Sequence, residues 1–289
     1  MNALKTPPGQ SDVWDLVIRP RRGLFDIPFR ELWDARELIS LLVWRDFIST
    51  YKQTILGPLW YVVQPVIVAL TYLFVFNKVA NLSTDGLPPL LFYLCGTIIW
   101  NFFSANLTKT SSTFISNKPL FEKVYFPRLA IPISIAVGNL ISFSIQVAIL
   151  VLFLVYFKVA GADISPNSSL LFLPFLIVMM AGLGLGFGII VSALTTRYRD
   201  LNHLVLFGSQ LLLFVTPVIY PVSSIPARFR HLIWINPMAP IVETFRYAFL
   251  GAGTVNGIHL FYCFVFTVTV LVVGLVLFNR AESTFMDTL

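Results

Sequence analysis

The sequence predicts an all-α membrane protein: six transmembrane helices, an N-terminal interfacial amphipathic helix, and two outer re-entrant half-helices before the last span. Of the 289 residues, 57% are apolar and only 12% are charged, whereas a soluble domain carries about 25% charged residues. Six long stretches contain no Asp, Glu, Lys or Arg, and each reaches or approaches the length that crosses about 30 Å of hydrocarbon. This composition excludes a soluble globular domain, a disordered chain and a nucleic-acid-binding module.

The segment before the first span divides into two parts. Residues 1–35 are expected to form a cytoplasmic extension, because they lack the apolar core of a signal peptide. Residues 36–57 are expected to form the amphipathic helix, lying in the membrane interface or packed on the cytoplasmic end of the bundle. The predicted apolar face repeats at spacings of three and four residues and consists of Leu41, Trp44, Ile48, Tyr51 and Ile55.

The transmembrane domain is expected to occupy residues 58–280, followed by a cytoplasmic tail at 281–289. The predicted spans are 59–77, 87–108, 131–157, 170–196, 201–219 and 257–279. Fifteen of the 20 Lys and Arg residues fall on the side of the N-terminus, of the second and fourth loops and of the tail. Because cytoplasmic loops are enriched in these residues, both termini are predicted to be cytoplasmic.

Residues 221–256, before the last span, combine four prolines with short apolar helical pieces. Non-helical backbone at membrane depth is tolerated where it is buried in protein or lines a water-filled cavity. We therefore expect two half-helices that dip back from the outer face and end at Gly251-Ala252-Gly253. The alternative is a folded external loop.

The sequence contains no recognisable catalytic, metal-binding or ATP-binding motif. Its three histidines are scattered, and it lacks HExxH, GxSxG and Walker motifs. Gly182, Gly184, Gly186 and Gly188 lie inside a predicted span, where small residues allow close helix packing. The chain is therefore not expected to be an enzyme or to bind a metal, and a separate ATPase is the economical energy source for any transport.

Several short motifs recur in order along the chain. They are RDF at 45–47, YKQTILGPLW at 51–60, QP at 64–65, NKPL at 117–120, VYFPR at 124–128, YRDL at 198–201, PVIY at 217–220, NPMAP at 236–240 and ETFR at 243–246. This ordered set resembles the permeases of the ABC polysaccharide export family, which serve O-antigen, capsule and teichoic acid.

The resemblance implies a half-transporter of the bacterial inner membrane that moves lipid-linked polysaccharide. Two copies would form the pathway and two ATP-binding subunits would dock below, holding ATP and Mg, with no cofactor in this chain. The runner-up functions are export of a drug or small lipid within the same superfamily and, from other classes, an ion-coupled carrier or a membrane scaffold.

The resemblance also implies a coupling segment at 117–128 that touches the ATPase. Its candidate residues are Asn117, Lys118, Pro119, Glu122, Lys123, Tyr125, Pro127 and Arg128. It places Glu243 and Arg246 as a pair in the outer half-helices.

Two further residue sets are predicted to contact the substrate or its lipid. Cations near the inner membrane surface attract a lipid-linked phosphate, and the candidates are Arg45, Lys52, Arg128 and Arg199. Aromatic rings present flat apolar faces to sugars, and the candidate channel aromatics are Tyr61, Phe102 and Phe143.

Overall fold

The computed structural model of the chain describes residues 29–52, 54–121, 123–124, 126–195, 198 and 200–286. Within this part of the chain, twelve α-helices are α1 Phe29–Asp34, α2 Arg36–Tyr51, α3 Trp60–Tyr72, α4 Pro89–Ser111, α5 Thr113–Ser116, α6 Lys118–Phe121, α7 Ala130–Val159, α8 Leu173–Thr195, α9 Leu201–Val215, α10 Ala227–Ile235, α11 Met238–Leu250 and α12 Gly257–Met286. The described residues contain no strand, so the prediction of an all-α protein is confirmed. We call the end of the bundle that carries α2, α5 and α6 the inner end, and the end that carries α10 and α11 the outer end.

Five helical segments in the described residues are long and apolar enough to cross a membrane. They are Gly57–Val79, Pro89–Ser111, Ala130–Val159, Ser168–Thr195 and Gly257–Ala281. Each overlaps a predicted span. The first begins with a 3-10 turn and ends with a π-helical turn, Leu73–Val79, and the fourth begins with a 3-10 turn.

The remaining predicted span, 201–219, contains a shorter helix than expected. The helix α9 ends at Val215 because Thr216 is extended, with ψ 140°, and the residue before a proline avoids the helical conformation. Pro217 follows directly. The 15 residues of α9 are about 22 Å long, which is less than the hydrocarbon thickness.

The helix α8 packs between α4 and α12, and its glycines make both contacts close. Successive members of the series 182, 184, 186 and 188 lie about 200° apart around the helix, so they alternate between opposite faces. A Cβ built on Gly184 would lie 2.6 Å from the Cβ of Asn106 on α4, and one on Gly186 would lie 2.8 Å from Val270 on α12. The expectation that these glycines serve helix packing is confirmed.

The helix α2 has two apolar faces. Leu42 and Val43 are 2% and 8% exposed, whereas Leu41 and Trp44 of the predicted stripe are more than 60% exposed. The buried face packs near the start of α7, where Leu42 clusters with Phe126, Ala130 and Ile131. The helix therefore packs on the inner end of the bundle, and Leu41 and Trp44 of the predicted stripe point away from the protein, while Ile48 is half-buried.

The residues between α9 and α12 contain two helices, α10 and α11, which match the two predicted helical pieces. The helix α11 is buried at every position except Tyr247. Gly251 ends α11 with φ 83°, a left-handed conformation that glycine adopts without steric cost. The side-chain amide of Asn167, in the segment between α7 and α8, donates to the Tyr247 carbonyl at 2.9 Å. The outer end of the bundle is thus closed by α11.

A buried ion pair joins α11 to its neighbours. Arg246 donates to Glu243 at 2.8 Å, and the two side chains are 2% and 4% exposed. Arg246 also donates to the carbonyl oxygens of Pro217 and Val218, at 2.9 and 3.3 Å. Its guanidinium carbon lies 3.9 Å from the ring centroid of Phe92 on α4. One side chain therefore connects α11, α4 and the extended segment after α9.

We predict that Gly184→Ala and Gly188→Ala each destabilise the protein by about 1–3 kcal/mol, because overpacking forces the helices apart. A Cβ on Gly188 would lie 2.6 Å from Thr110. Gly208→Ala in α9 is the control, because nothing lies within 4 Å of the Cβ position there. The measurement is the thermal unfolding midpoint of the purified protein. Equal midpoints for the three variants would contradict the packing role.

We predict that Arg246→Met costs about 3–5 kcal/mol, because it leaves the Glu243 carboxylate buried without its partner. The double variant Glu243→Gln/Arg246→Met should recover part of that loss. Arg228→Met is the matched control: its guanidinium also lies over a phenyl ring, 4.6 Å from the Phe229 centroid, but on an exposed residue. The same thermal unfolding measurement applies, and a control that loses as much stability as Arg246→Met would refute the assignment.

Candidate functional site

A polar cleft of about 270 Å³ lies between α3, α4 and α7. Its walls are formed by Tyr61 and Gln64 of α3, by Asn101, Phe102, Ser104, Ala105, Thr108 and Lys109 of α4, and by Asn139, Ser142, Phe143 and Gln146 of α7. Lys109 and Tyr61 lie near the inner ends of their helices, and Asn101 and Gln146 lie deeper in the bundle. The polar cleft therefore starts at the inner end and runs into three of the candidate spans.

The cleft is polar because each wall repeats polar residues at helical spacing. Asn101, Ser104 and Thr108 on α4, and Asn139, Ser142 and Gln146 on α7, stand at positions i, i+3 and i+7. Residues at these spacings share one face of a helix. Two otherwise apolar helices thus turn one polar stripe each toward the same space.

A hydrogen-bonded chain of amides holds Lys109 in place at the inner end of the cleft. The Lys109 ammonium donates to the side-chain oxygen of Asn139 at 2.9 Å. Asn139 in turn donates to the side-chain oxygen of Asn106 at 3.1 Å, and Asn106 donates to the Phe102 carbonyl at 2.8 Å. Asn106 and Asn139 are buried, so this chain fixes the end of the lysine to the helix wall.

Three other amides on the cleft wall make no side-chain hydrogen bond to any residue that the structure describes. They belong to Gln64, Asn101 and Gln146. Gln146 is only 8% exposed, and it lines the cleft. These groups are therefore available to a ligand in the cleft.

The three candidate channel aromatics, Tyr61, Phe102 and Phe143, all line the cleft. Phe102 and Phe143 are each 3% exposed, and their ring centroids are 4.8 Å apart. Tyr61 is half-buried, so it presents more ring surface than the other two. A channel role for these rings remains a prediction.

The helix α2 borders the inner end of the cleft. A second, smaller cavity of about 50 Å³ lies beside Tyr61, Lys109 and Asn139, and it is also lined by Asp46 and Thr50 of α2. Asp46 is held by its neighbour Arg45, whose guanidinium approaches the carboxylate to 2.7 Å. The helix α2 therefore lies beside Tyr61, Lys109 and Asn139, which also line the polar cleft.

The candidate phosphate-binding cations are in different environments. Arg45 and Lys52 are exposed on α2 and at its end. Arg128 is 5% exposed, and its guanidinium carbon lies 5.1 Å from the Phe121 ring centroid. Arg199 lies outside the described residues. Contact of any of these cations with a lipid phosphate remains a prediction.

The coupling segment packs against α2 and the start of α7. Its described residues include the short helix α6, in which Lys118 and Pro119 are exposed, and Lys123, which is exposed after it. Phe121 and Phe126 stack with centroids 5.6 Å apart and join the cluster around Leu42 of α2. Asn117 and Pro127 are half-buried, while Glu122 and Tyr125 lie outside the described residues. The segment thus presents an exposed tip on an apolar base.

The cleft can recognise hydroxyl and anionic groups by hydrogen bonding. Its amides both donate and accept, and its lysine supplies a positive charge. In the described residues, no group of three or more His, Cys, Asp and Glu side chains is placed to hold a metal ion.

The sequence predicted the three aromatic residues of the cleft wall but not its uncharged polar residues. The signal was present as two polar triplets, 101/104/108 and 139/142/146, at the same helical spacing. That signal shows which residues share a face of one helix. It does not show that the two faces meet.

Comparison with known proteins places the chain in a family. The sequence profile of the ABC-2 type transporter family matches residues 37–250. The O-antigen export system permease protein RfbA of Klebsiella pneumoniae is 28% identical over 254 residues, which is 88% of this chain and 95% of the relative. RfbA of Myxococcus xanthus is 28% identical over 76% of this chain and 83% of the relative. The polysialic acid transport protein KpsM of Escherichia coli is 26% identical over 86% and 95%, respectively. Because the profile covers more than half of the sequence, the chain belongs to the ABC-2 type transporter family.

Proposed function

We propose that this chain is the transmembrane subunit of an ATP-driven exporter that moves lipid-linked polysaccharide, of the O-antigen kind, across the bacterial inner membrane. The observation that carries the proposal is the alignment of nearly the whole chain with relatives named for O-antigen export and polysialic acid transport. The polar cleft supports it, because a carbohydrate needs hydrogen-bonding groups along its path through apolar helices.

The energy for transport is proposed to come from separate chains. The sequence lacks a Walker motif, so ATP and Mg are assigned to two partner ATP-binding subunits, and a second copy of this chain completes the pathway. This arrangement makes the chain a permease subunit and not an enzyme.

The membrane topology is proposed to have six spans, with both termini in the cytoplasm and the inner end of the bundle facing the cytoplasm. The helix α9 would cross together with the extended residues that follow it. The Pro217 and Val218 carbonyls in that extended segment accept hydrogen bonds from Arg246, which satisfies non-helical backbone as a bilayer requires. The helices α10 and α11 would then form the outer re-entrant pair.

The inner end of the bundle is proposed to meet the membrane surface and the lipid carrier. The exposed stripe of α2, which includes Leu41 and Trp44, would lie in the interface. Arg45 and Lys52 stand seven residues apart, about two helical turns, and both are exposed. They would attract the phosphate groups of the carrier lipid.

The coupling segment is proposed to transmit movement from the ATP-binding subunit. Its tip at Lys118, Pro119 and Lys123 is exposed, and its aromatic base is packed on α2 and α7. A displacement of the tip would therefore move both helices, and both border the cleft or its inner cavity.

Depletion of the chain in the bacterium that encodes it tests the proposed function. We expect lipid-linked glycan to accumulate inside the cell, surface polysaccharide to fall, and an ATP-binding subunit to co-purify with the tagged chain. Expression of the wild-type chain from a plasmid is the control and should restore the surface polysaccharide. Unchanged glycan together with lost export of a drug or small lipid would replace the proposal with the runner-up function.

Charge reversal at the tip of the coupling segment tests the proposed coupling. Lys123→Glu should lower export about tenfold while ATP hydrolysis continues, because a like charge across a docking surface costs free energy. Glu122→Lys, outside the described residues, is expected to act similarly. Lys158→Glu, the same reversal at an exposed site near the end of α7, is the matched control. The measurement is glycan exported per ATP hydrolysed in proteoliposomes, and normal coupling with Glu122 and Lys123 both reversed would count against the segment.

A further inference from the structure

Lys109 at the inner end of the polar cleft has hydrogen-bonding capacity that the protein does not use. An ammonium group carries three donors, and only the bond to Asn139 is made within the part of the chain that the structure describes. No described carboxylate forms a salt bridge with it. The Asp46 carboxylate interacts with Lys109 only at longer range, and its own close partner is Arg45 at 2.7 Å. The lysine is thus positioned by an amide and left without an anion.

The unpaired amides stand deeper in the cleft than Lys109. Along α7, Gln146 lies seven residues beyond Asn139, which holds the lysine, and this is about 10 Å along the helix axis. Gln146 is nearly buried and lines the same cleft as Asn101 and Gln64. One end of the cleft is therefore suited to an anion and the other to a neutral hydroxylated group.

We propose that the cleft binds the glycosyl phosphate end of the lipid-linked substrate. The Lys109 ammonium contacts a phosphate oxygen, and the amides of Gln64, Asn101 and Gln146 contact hydroxyls of the sugar next to the phosphate. This assignment rests on the proposed function and names the substrate group that the inner end of the pathway recognises. This site differs from the proposed attraction of the lipid phosphate by Arg45 and Lys52, because binding in the cleft requires both the charge of Lys109 and the amides.

The choice of a sugar phosphate follows from the two chemistries of the cleft. In a hydrogen bond between lysine and phosphate both partners are charged, so a phosphate gains more from the ammonium than a neutral sugar hydroxyl does. A bulk phospholipid also offers a phosphate, but its glycerol and acyl chains do not match three polar amides. Sugar hydroxyls both donate and accept, and so do amides.

Binding of defined probes to the complete complex tests the site. The complex of this chain with its ATP-binding subunit is placed in phosphatidylcholine nanodiscs, and three fluorescent short-chain probes are titrated. They are a prenyl pyrophosphate carrying one N-acetylglucosamine, the prenyl pyrophosphate alone, and a neutral prenyl glycoside. Wild-type protein should bind the first probe most tightly.

The variants separate the two halves of the site. Lys109→Gln should weaken both pyrophosphate probes about tenfold or more and leave the neutral glycoside unchanged. Gln146→Leu should weaken the two sugar-bearing probes about fivefold and leave the pyrophosphate alone unchanged. Lys158→Gln is the matched control and should bind like wild type. It removes an exposed lysine near the C-terminal end of α7, away from the cleft. Thermal unfolding midpoints identify any variant that has lost its fold, and Lys109→Arg, which keeps the charge, should retain most of the affinity.

The outcomes distinguish the site from the function. If wild type binds the probes and Lys109→Gln and Gln146→Leu bind them equally well, the cleft assignment is overturned while the exporter function stands. If excess phosphatidylglycerol displaces the sugar probe from wild type, the cleft is a phospholipid site and the assignment is also overturned. If wild type binds none of the probes and depletion leaves surface polysaccharide intact, the proposed function itself fails.

Discussion

The close approach of α8 to the backbones of α4 and α12 is the constraint on which the rest of the bundle depends. In a bilayer the hydrophobic effect does not drive one helix against another, so association relies on packing and hydrogen bonds. Glycines on two opposite faces of α8 make this packing possible on both sides at once. Because α8 occupies one side of α4, the other side of α4 is left for α3 and α7, and this is the side that carries the polar cleft.

The two ends of the bundle satisfy their polar groups in different ways. At the outer end, a single buried arginine binds a carboxylate and two backbone carbonyls, which allows an extended segment to sit inside the protein. At the inner end, amides bind one another and a lysine, and several polar groups remain open to the cleft. The outer end is therefore held by one ion pair and its carbonyl contacts, whereas the inner end has polar side chains that line an open cleft.

The sequence predicted those features that depend on one segment alone. Charge-free runs located five helices of membrane-spanning length, and prolines located the interrupted region that holds α10 and α11. The spacing of Gly182 to Gly188 indicated close packing. Features that depend on two segments were harder to predict. The helix α2 is apolar on two sides, and only the position of α7 decides that Leu42, and not Leu41, is buried. The cleft needed the relative rotation of α3, α4 and α7, which neither polar triplet specifies. Pro217 marks the early end of α9 in the sequence. Because the apolar residues continue past this proline, the predicted span extended to residue 219.

The close packing at the glycines of α8 also limits how the neighbouring helices can move relative to one another. At Gly184 even a single added Cβ would lie 2.6 Å from Asn106 of α4. If α8 slid along α4 by one residue, larger side chains would move into this space and clash, so sliding between the two helices is blocked. The helices α4, α8 and α12 therefore form a rigid slab. By contrast, α2 packs on the inner end of α7 through an apolar cluster that includes Leu42, Ala130 and Ile131. The wall of the cleft on α4 is thus part of this slab, and the wall on α7 is tied to the slab by the hydrogen bonds of Asn139 with Lys109 and Asn106.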